Sequence, residues 1–127
     1  MLTKFLIGEK IYLRAFEKKD LTKQYLSWVN DHKLVKFMDT CHFPKSIVDL
    51  NNYYNDNKKS KTSILFAVIS KTKNKHIGNA LISNINWIHR NCYYGRLIGQ
   101  KTKEKNIGTE VLKLLQYYVF EKLNLNS

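Results

Sequence analysis

Hydrophobic and polar positions alternate over short stretches of this chain, and that pattern predicts β-strands. From Ile11 to Phe16 successive side chains belong to opposite faces, as in a strand with one buried face. Ile64–Ile69 is apolar throughout, which is typical of a central strand covered on both faces. The polar segment Lys71–Lys75 separates it from a second predicted strand, His76–Ser83, so the two form a hairpin. A further strand is predicted at Tyr93–Gly99.

Helical spacing appears in three other segments. Asp20 is a predicted N-cap, and a helical stripe follows it: Leu21, Tyr25, Trp28 and Val29. Ser46 and Asp49 have the spacing of a capping box at the start of a second helix, and the polar stretch Asn55–Ser63 is predicted to be a loop. The longest helix is predicted over Ile107–Leu123, with a core-facing stripe: Ile107, Val111, Leu114, Leu115 and Tyr118.

The order of these elements predicts one α+β (mixed α/β) domain over residues 1–127, with a largely antiparallel sheet flanked by helices. The chain has 127 residues and is 43% hydrophobic, enough for one ordinary core. Cys41 and Cys92 are far apart, which excludes a disulfide scaffold and a cysteine zinc site and favours the cytoplasm. No His, Cys, Asp and Glu grouping has metal-ligand spacing. The longest apolar run is too short for a membrane span.

The net charge of +12 indicates an attraction to anions such as nucleotides and phosphorylated small molecules. The alternative is a solvated lysine surface. The basic residues are mostly lysines, and the three arginines are Arg14, Arg90 and Arg96. Because base-edge recognition favours the arginine fork, this composition speaks against sequence-specific DNA binding. A basic module that binds RNA or the ribosome stays open on charge alone.

The segment Gln100–Thr109 leads into the longest helix and carries lysines followed by Asn106, Ile107 and Gly108. A helix start leaves about four backbone N–H groups unpaired and carries a partial positive charge. Gly108 has no side chain to keep a phosphate away. The segment therefore predicts a phosphate or pyrophosphate cradle, with an ordinary capped helix as the alternative. Neither a GxGxxG motif nor a P-loop is present.

Several segments together resemble the GCN5-related N-acetyltransferase (GNAT) family. Tyr94–Leu115 resembles the family's acetyl-CoA-binding motif, Gln/Arg-x-x-Gly-x-Gly/Ala at a helix start. Ile11–Arg14 with Asp20-Leu21 resembles the opening strand and first helix. Trp28–Asp31 resembles the Trp-x-Asn-Asp of the branch with ribosomal-protein-alanine and amino-sugar acetyltransferases. Two more segments resemble the nucleotide-amino-sugar enzymes of that branch: His76–Asn79 and Asn84–Arg90.

The resemblance implies direct attack of a primary amine on the thioester of acetyl-CoA, the cosubstrate, without a metal. The preferred acceptor is a small molecule, an amino sugar on a nucleotide carrier, and a protein N-terminal amine is second. Backbone N–H groups of the last strand, where glycines suit a bulge, would bind the thioester, and the loop would bind the pyrophosphate. The implied cofactor-binding residues are Leu97, Ile98, Gly99, Lys103, Glu104, Lys105, Asn106, Ile107, Gly108 and Thr109.

Residues of the right chemistry for the remaining roles are few. The candidate acid and base groups are His42, His89 and Tyr93, because imidazole titrates near neutral pH and a phenol can exchange a proton. The alternative for the histidines is an ordinary surface position. The candidate acceptor-binding residues are Trp28, Asn84 and Trp87. Core packing is the alternative for the tryptophans and turn capping for Asn84.

The sequence departs from the family pattern at three places. Lys103 and Asn106 replace motif residues; lysine keeps a donor, and asparagine tolerates a left-handed backbone. Tyr93 stands where relatives often have a glutamate. The chain ends at Ser127, so we expect the family's usual C-terminal strands to be lacking. An exposed last strand would favour a homodimer, by strand exchange for example, and an inactive truncated relative with weak CoA binding is the alternative.

Overall fold

The structure, a computed structural model, describes residues 4–31, 45–99 and 106–125. Within these ranges five strands form one antiparallel sheet in sequence order. The strands are β1 (Leu6–Ile7), β2 (Ile11–Ala15), β3 (Ile64–Ser70), β4 (Lys75–Asn86) and β5 (Asn91–Ile98). The predicted α+β class with a largely antiparallel sheet is confirmed. The two-residue strand β1 is too short to produce an alternation in the sequence and was not predicted.

Helices cover both faces of this sheet. They are α1 (Lys23–Val29), α2 (Ile47–Lys59) and α3 (Ile107–Tyr117), and α3 continues into a π-helical turn, Tyr118–Lys122. The buried residues of the α3 stripe recur every four positions, at Ile107, Val111, Leu115 and Val119. A repeat of four is longer than the 3.6 residues of an α-helical turn, and the wider π turn keeps Val119 in the core.

Alternating side chains of the central strands supply two separate cores. On one face Phe66 and Val68 pack with the α3 stripe. On the other face Ala67 and Ile69 pack with α1 and α2, whose buried residues include Trp28 and Leu50. This two-sided burial is the reason that Ile64–Ile69 is apolar throughout.

Two predicted helix boundaries were wrong. Asp20 is not the N-cap of α1, because the Thr22 side chain accepts the capping hydrogen bond from the Tyr25 N–H. Asp20 instead forms a buried ion pair with Arg14, with N–O distances of 2.7 and 2.8 Å. The expected loop at Asn55–Ser63 begins later, because α2 runs to Lys59. Its last turns are polar since they face solvent, and polarity alone does not end a helix.

The predicted capping box at the start of α2 is confirmed. Ser46 accepts a hydrogen bond from the Asp49 N–H, and the Asp49 carboxylate accepts one from the Ser46 N–H at 2.8 Å. Buried Leu50 and Tyr54 follow on one face of the helix. This start places the buried face of α2 against β3, where Leu50 and Tyr54 pack with Ala67 and Ile69.

Glu110, in the first turn of α3, fixes that helix to the connection between β1 and β2. Its carboxylate accepts hydrogen bonds from the N–H groups of Glu9, Lys10 and Ile11 at 3.0–3.1 Å. Gly8 belongs to the same turn, and an added Cβ there would lie 3.1 Å from the Glu110 carboxylate. The position of the α3 N-terminus is therefore set by contacts about 100 residues away in the sequence.

Candidate active site

A cavity of about 460 Å³ opens between α1, α2 and the β4–β5 pair. Its volume falls within the range of small-molecule sites. Tyr25 and Val29 of α1 form one wall, and Leu50 and Tyr53 of α2 form another. The cavity lies on the sheet face opposite α3, because the α3 side is filled by its own core.

The floor of the cavity is made by β4 and β5. Ser83 pairs with Tyr93 and Leu81 pairs with Gly95 in an unbroken register. An added Cβ on Gly95 would meet no described atom within 4 Å. Because the register is unbroken here, the bulge expected at Gly95 is absent. The register shift between these strands lies between Ser83 and Asn86. Gly95 leaves open space in the floor of the cavity.

Two described lining residues, Lys45 and Asp49, bring charged side chains to this face of the sheet. Arg96 also lines the cavity, but its guanidinium lies against Gly108 at the start of α3. The hydrogen bonds from Ser46 to the Asp49 carboxylate lower the pKa of that group, and they occupy it within the capping box. The wall therefore carries one charge of each sign, and the acidic one is engaged by the helix cap.

The unpaired edge of β5 lies beside the cavity. Within the described residues β5 pairs with β4 alone, and the Gly99 N–H donates to the Ile77 carbonyl at 2.9 Å. Since N–H groups of an antiparallel strand alternate in direction, the N–H of Leu97 also faces β4. The N–H groups of Arg96 and Ile98 face outward. Among Leu97, Ile98 and Gly99, Ile98 is thus the residue whose N–H is directed to the free edge.

The start of α3 has free backbone donors. Asn106 has a left-handed conformation (φ 65°), as its residue type permits, and its side chain makes no capping hydrogen bond. The first hydrogen bond within the helix is donated by the Glu110 N–H to the Asn106 carbonyl. The N–H groups of Ile107, Gly108 and Thr109 come before it and therefore lack intrahelical partners. The anion cradle at these N–H groups stays a prediction.

Arg96 adds a cation at this helix start. An added Cβ on Gly108 would lie 2.9 Å from the Arg96 Nε, so the guanidinium occupies the space that a side chain at position 108 would need. A cation beside the positive end of a helix dipole is unfavourable without an anion. In the described part of the chain the ion pair found is Arg14 with Asp20, and Arg96 has no carboxylate partner there.

Trp28 packs against Gly99, outside the cavity lining. An added Cβ on Gly99 would lie 2.6 Å from the Trp28 Nε1, so glycine is required for the indole to pack there. Trp28 is 6% exposed and does not line the cavity. Its ring also contacts the His76 ring, with centroids 5.2 Å apart.

His76 and Asn79 form a polar pair between these aromatic rings and the cavity. The His76 Nε2 lies 2.7 Å from the Asn79 Oδ1. Burial lowers the pKa of His76, and the bond to Asn79 opposes that effect without cancelling it. The imidazole is therefore neutral at neutral pH. Asn79 is 5% exposed and lines the cavity.

The other predicted residues are dispersed. Tyr93 lines the cavity and is 72% exposed. His89 and Trp87 lie in the exposed turn between β4 and β5, whose N–H groups at Ile88 and His89 donate to Asn86, and neither lines the cavity. Asn84, also exposed, has a left-handed conformation at the irregular end of β4. His42, Lys103, Glu104 and Lys105 are outside the described residues.

Thiol and metal chemistry find little support among the described residues. Burial raises the pKa of Cys92, which disfavours the nucleophilic thiolate. No group of three potential metal ligands occurs in ranges 4–31, 45–99 and 106–125. The helices in those ranges are also too short or too polar to cross a membrane.

Comparison with known proteins identifies the family. The model of the acetyltransferase (GNAT) domain matches residues 10–127. The chain belongs to the GNAT acetyltransferase family. This match confirms the GNAT resemblance of the sequence. Acetyl-CoA-dependent N-acetyl transfer is the chemistry of this family. No curated protein matches the chain significantly.

Solved structures share the fold. The spermidine N-acetyltransferase from Vibrio cholerae, in complex with CoA and spermine, is 24% identical with a TM-score of 0.79; the match covers 91% of this chain and 67% of that one. An acetyltransferase of the GNAT family from Bacillus anthracis is 21% identical with a TM-score of 0.77, covering 98% and 69%. A GCN5-related N-acetyltransferase from Brucella melitensis is 17% identical with a TM-score of 0.74, covering 98% and 59%.

Sequence reasoning did not single out several residues that line the cavity. Asn79 was noted within a family-like segment but not as a site residue, although a polar side chain in a buried strand is an available signal. Gly95 and Arg96 were noted for other reasons. Asp49 was recognised as part of a helix cap. Its place in the cavity wall depends on the packing of α2, which the neighbouring residues in the sequence do not indicate.

Proposed function

We propose that this GNAT protein transfers the acetyl group of acetyl-CoA to the primary amine of an anionic, sugar-like small molecule, preferably an amino sugar on a nucleotide carrier. The observation that carries the proposal is the juxtaposition of three features. A cavity of small-molecule size adjoins the free edge of β5, and Arg96 links that edge to the open helix start at Gly108.

The helix start is suited to the pyrophosphate of acetyl-CoA. Three backbone N–H groups, Ile107 to Thr109, lack intrahelical partners, and the nearby Arg96 guanidinium adds a charged donor. Charge-assisted hydrogen bonds of this kind are stronger than neutral ones. Lys103 and Lys105 precede this start in the sequence, and their positive charge would add to the attraction at long range.

The edge of β5 is suited to the thioester. An outward N–H at Ile98 would donate to the carbonyl oxygen, whose negative charge grows as the amine attacks. The new C–N bond forms as the C–S bond breaks, and the CoA thiolate leaves. Water in the open cavity takes the proton from the amine and gives a proton to the thiolate. Tyr93 lines the cavity but is five residues from Ile98, about 17 Å along an extended strand, so it is placed to contact the acceptor and not the thiolate.

The cavity charges support the choice of acceptor. A polyamine carries several positive charges and would be repelled by Lys45, while the nearby Asp49 carboxylate already accepts hydrogen bonds from Ser46. A nucleotide-linked amino sugar carries phosphates that Lys45 would attract. The net charge of +12 acts in the same direction at long range.

Calorimetry with acetyl-CoA, followed by an acetyl-transfer assay, tests this function. The wild-type protein should bind acetyl-CoA and acetylate UDP-glucosamine faster than spermidine or a peptide N-terminus. Gly108→Trp should abolish acetyl-CoA binding, because the indole would cover the free N–H groups. The fold should survive, since the nearest atoms belong to the movable Arg96 side chain.

Gln116→Trp, on the exposed side of the same helix, is the matched control and should bind acetyl-CoA normally. Equal binding by Gly108→Trp and the wild type would contradict the proposed cradle. Failure of the wild type to bind acetyl-CoA would support the inactive-relative alternative. Salt-sensitive RNA binding with no response to acetyl-CoA would support the binding-module alternative.

A further inference from the structure

Asn79 has a buried hydrogen-bond donor that the described protein does not satisfy. Its Nδ2 is almost inaccessible to solvent and has no acceptor among the described residues. A buried amide donor without a partner is costly, about 1–3 kcal/mol. Native structures contain few such groups, and each calls for an explanation.

The other half of the same amide is fixed. The Asn79 Oδ1 accepts from the His76 Nε2 at 2.7 Å, and the aromatic rings of Phe16, Tyr25 and Trp28 hold the imidazole in place. Because the amide is planar, anchoring Oδ1 directs Nδ2 away from His76. The Asn79 side chain is itself part of the cavity wall.

We propose that Asn79 is a specificity-determining residue, whose Nδ2 donates a hydrogen bond to an oxygen atom of the acceptor substrate in the cavity. This inference rests on the proposed function and refines its substrate class. Asn79 pairs with Leu97 across the strands, so the amide lies one residue from the outward N–H of Ile98. His76 is a positioning residue, because it acts through Asn79.

This donor separates two classes of amine. A sugar has hydroxyl and ring oxygens that can accept from Nδ2. A protonated polyamine has only N–H donors, so it would leave Nδ2 unsatisfied and bring like donors together. Sites that hydrogen-bond a polar substrate group reject analogues that lack it, since their own buried groups are then left unpaired.

Two substitutions at position 79 test the donor by calorimetry with UDP-glucosamine and with spermidine. Asn79→Leu has a similar shape without a donor and should bind UDP-glucosamine about tenfold more weakly or worse, with spermidine binding unchanged or tighter. Asn79→Asp keeps an oxygen for His76 and replaces the donor with a carboxylate oxygen. It should weaken UDP-glucosamine binding and strengthen spermidine binding.

Asn55→Leu, the same change at an exposed position of α2, is the control and should bind both ligands as the wild type does. Thermal melting of each variant checks the fold, and the Asp variant keeps the test valid if the Leu variant does not fold. Equal effects on both ligands, or no effect, would overturn the role of Asn79. Acetyl-CoA titrated into the same proteins shows separately whether the proposed function stands.

Discussion

Two glycines on one strand edge, four residues apart, have opposite surroundings. At Gly99 the space of a side chain is taken by the Trp28 indole, with Nε1 2.6 Å from an added Cβ. At Gly95 an added Cβ would meet no described atom within 4 Å. The first glycine belongs to a packed aromatic cluster with His76, and the second belongs to the floor of the cavity.

The difference separates a packing requirement from a binding requirement. A side chain at position 99 would disturb the protein itself, whereas a side chain at position 95 would compete with whatever enters the cavity. Sequence alone treats both residues as glycines in a strand, for which a bend or bulge is the general expectation. The two positions can therefore be tested with the same substitution.

Gly99→Leu should have the largest effect on stability. The new side chain overlaps the buried Trp28 indole, so we expect a loss of about 3 kcal/mol, the upper end for overpacking. Chemical denaturation measures the free energy of unfolding. A loss below about 0.5 kcal/mol would show that Trp28 does not occupy this space in solution.

Gly95→Leu should leave stability within about 0.5 kcal/mol of the wild type and reduce binding of the amine acceptor. Steric overlap of about 1–3 kcal/mol corresponds to roughly a tenfold to hundredfold rise in the KM for the acceptor. The assay compares that KM with the KM for acetyl-CoA, which should change less. Unchanged KM values for both substrates would show that the acceptor does not bind in the cavity beside Gly95.

Lower pH should reduce the free energy of unfolding through His76, in the aromatic cluster beside Gly99, by less than Gly99→Leu does. Burial lowers the pKa of His76, so the unfolded chain binds a proton near pH 6.5 while the folded protein does not. Stability from this residue is present above that pH and is lost as pH falls below about 6.5. Denaturation at pH 7.5 and 5.5 measures the change, and His76→Gln, which does not titrate, should show a smaller one.

A second acidic transition should follow from Asp20. Burial raises the pKa of this carboxyl, but the hydrogen bonds from Arg14 and Glu17 outweigh burial and hold the pKa below its usual range. Its contribution is therefore present above about pH 4 and is lost at lower pH. The two groups act in separate pH windows, so the His76→Gln comparison above pH 5 isolates the imidazole.

The sequence predicted the features of this molecule that depend on neighbouring residues. The capping box of Ser46 and Asp49 is confirmed, and Asn106 has the left-handed conformation that its residue type tolerates. The two-sided burial of β3 follows directly from its apolar run. In each case the cause lies within a few positions of the residue concerned.

The features that were missed depend on contacts distant in sequence. Asp20 looks like a helix cap until Arg14 is placed beside it in the core. Gly95 belongs to a cavity floor because α1 and α2, distant in the sequence, form the walls of the same cavity. The free donor of Asn79 exists because His76 takes the other end of its amide. The secondary-structure propensity of neighbouring residues does not indicate such contacts.

The central claim is that acetyl-CoA lies along the outward edge of β5 and the start of α3. Backbone ¹H–¹⁵N NMR during an acetyl-CoA titration tests it directly, because the structure distinguishes neighbouring amides on one strand. The largest shifts are predicted for Ile98, Arg96 and Gly108, with smaller shifts for Leu97 and Gly99, whose N–H groups face β4. Saturation with acetyl-CoA that leaves Ile98 and Gly108 unshifted would contradict the account.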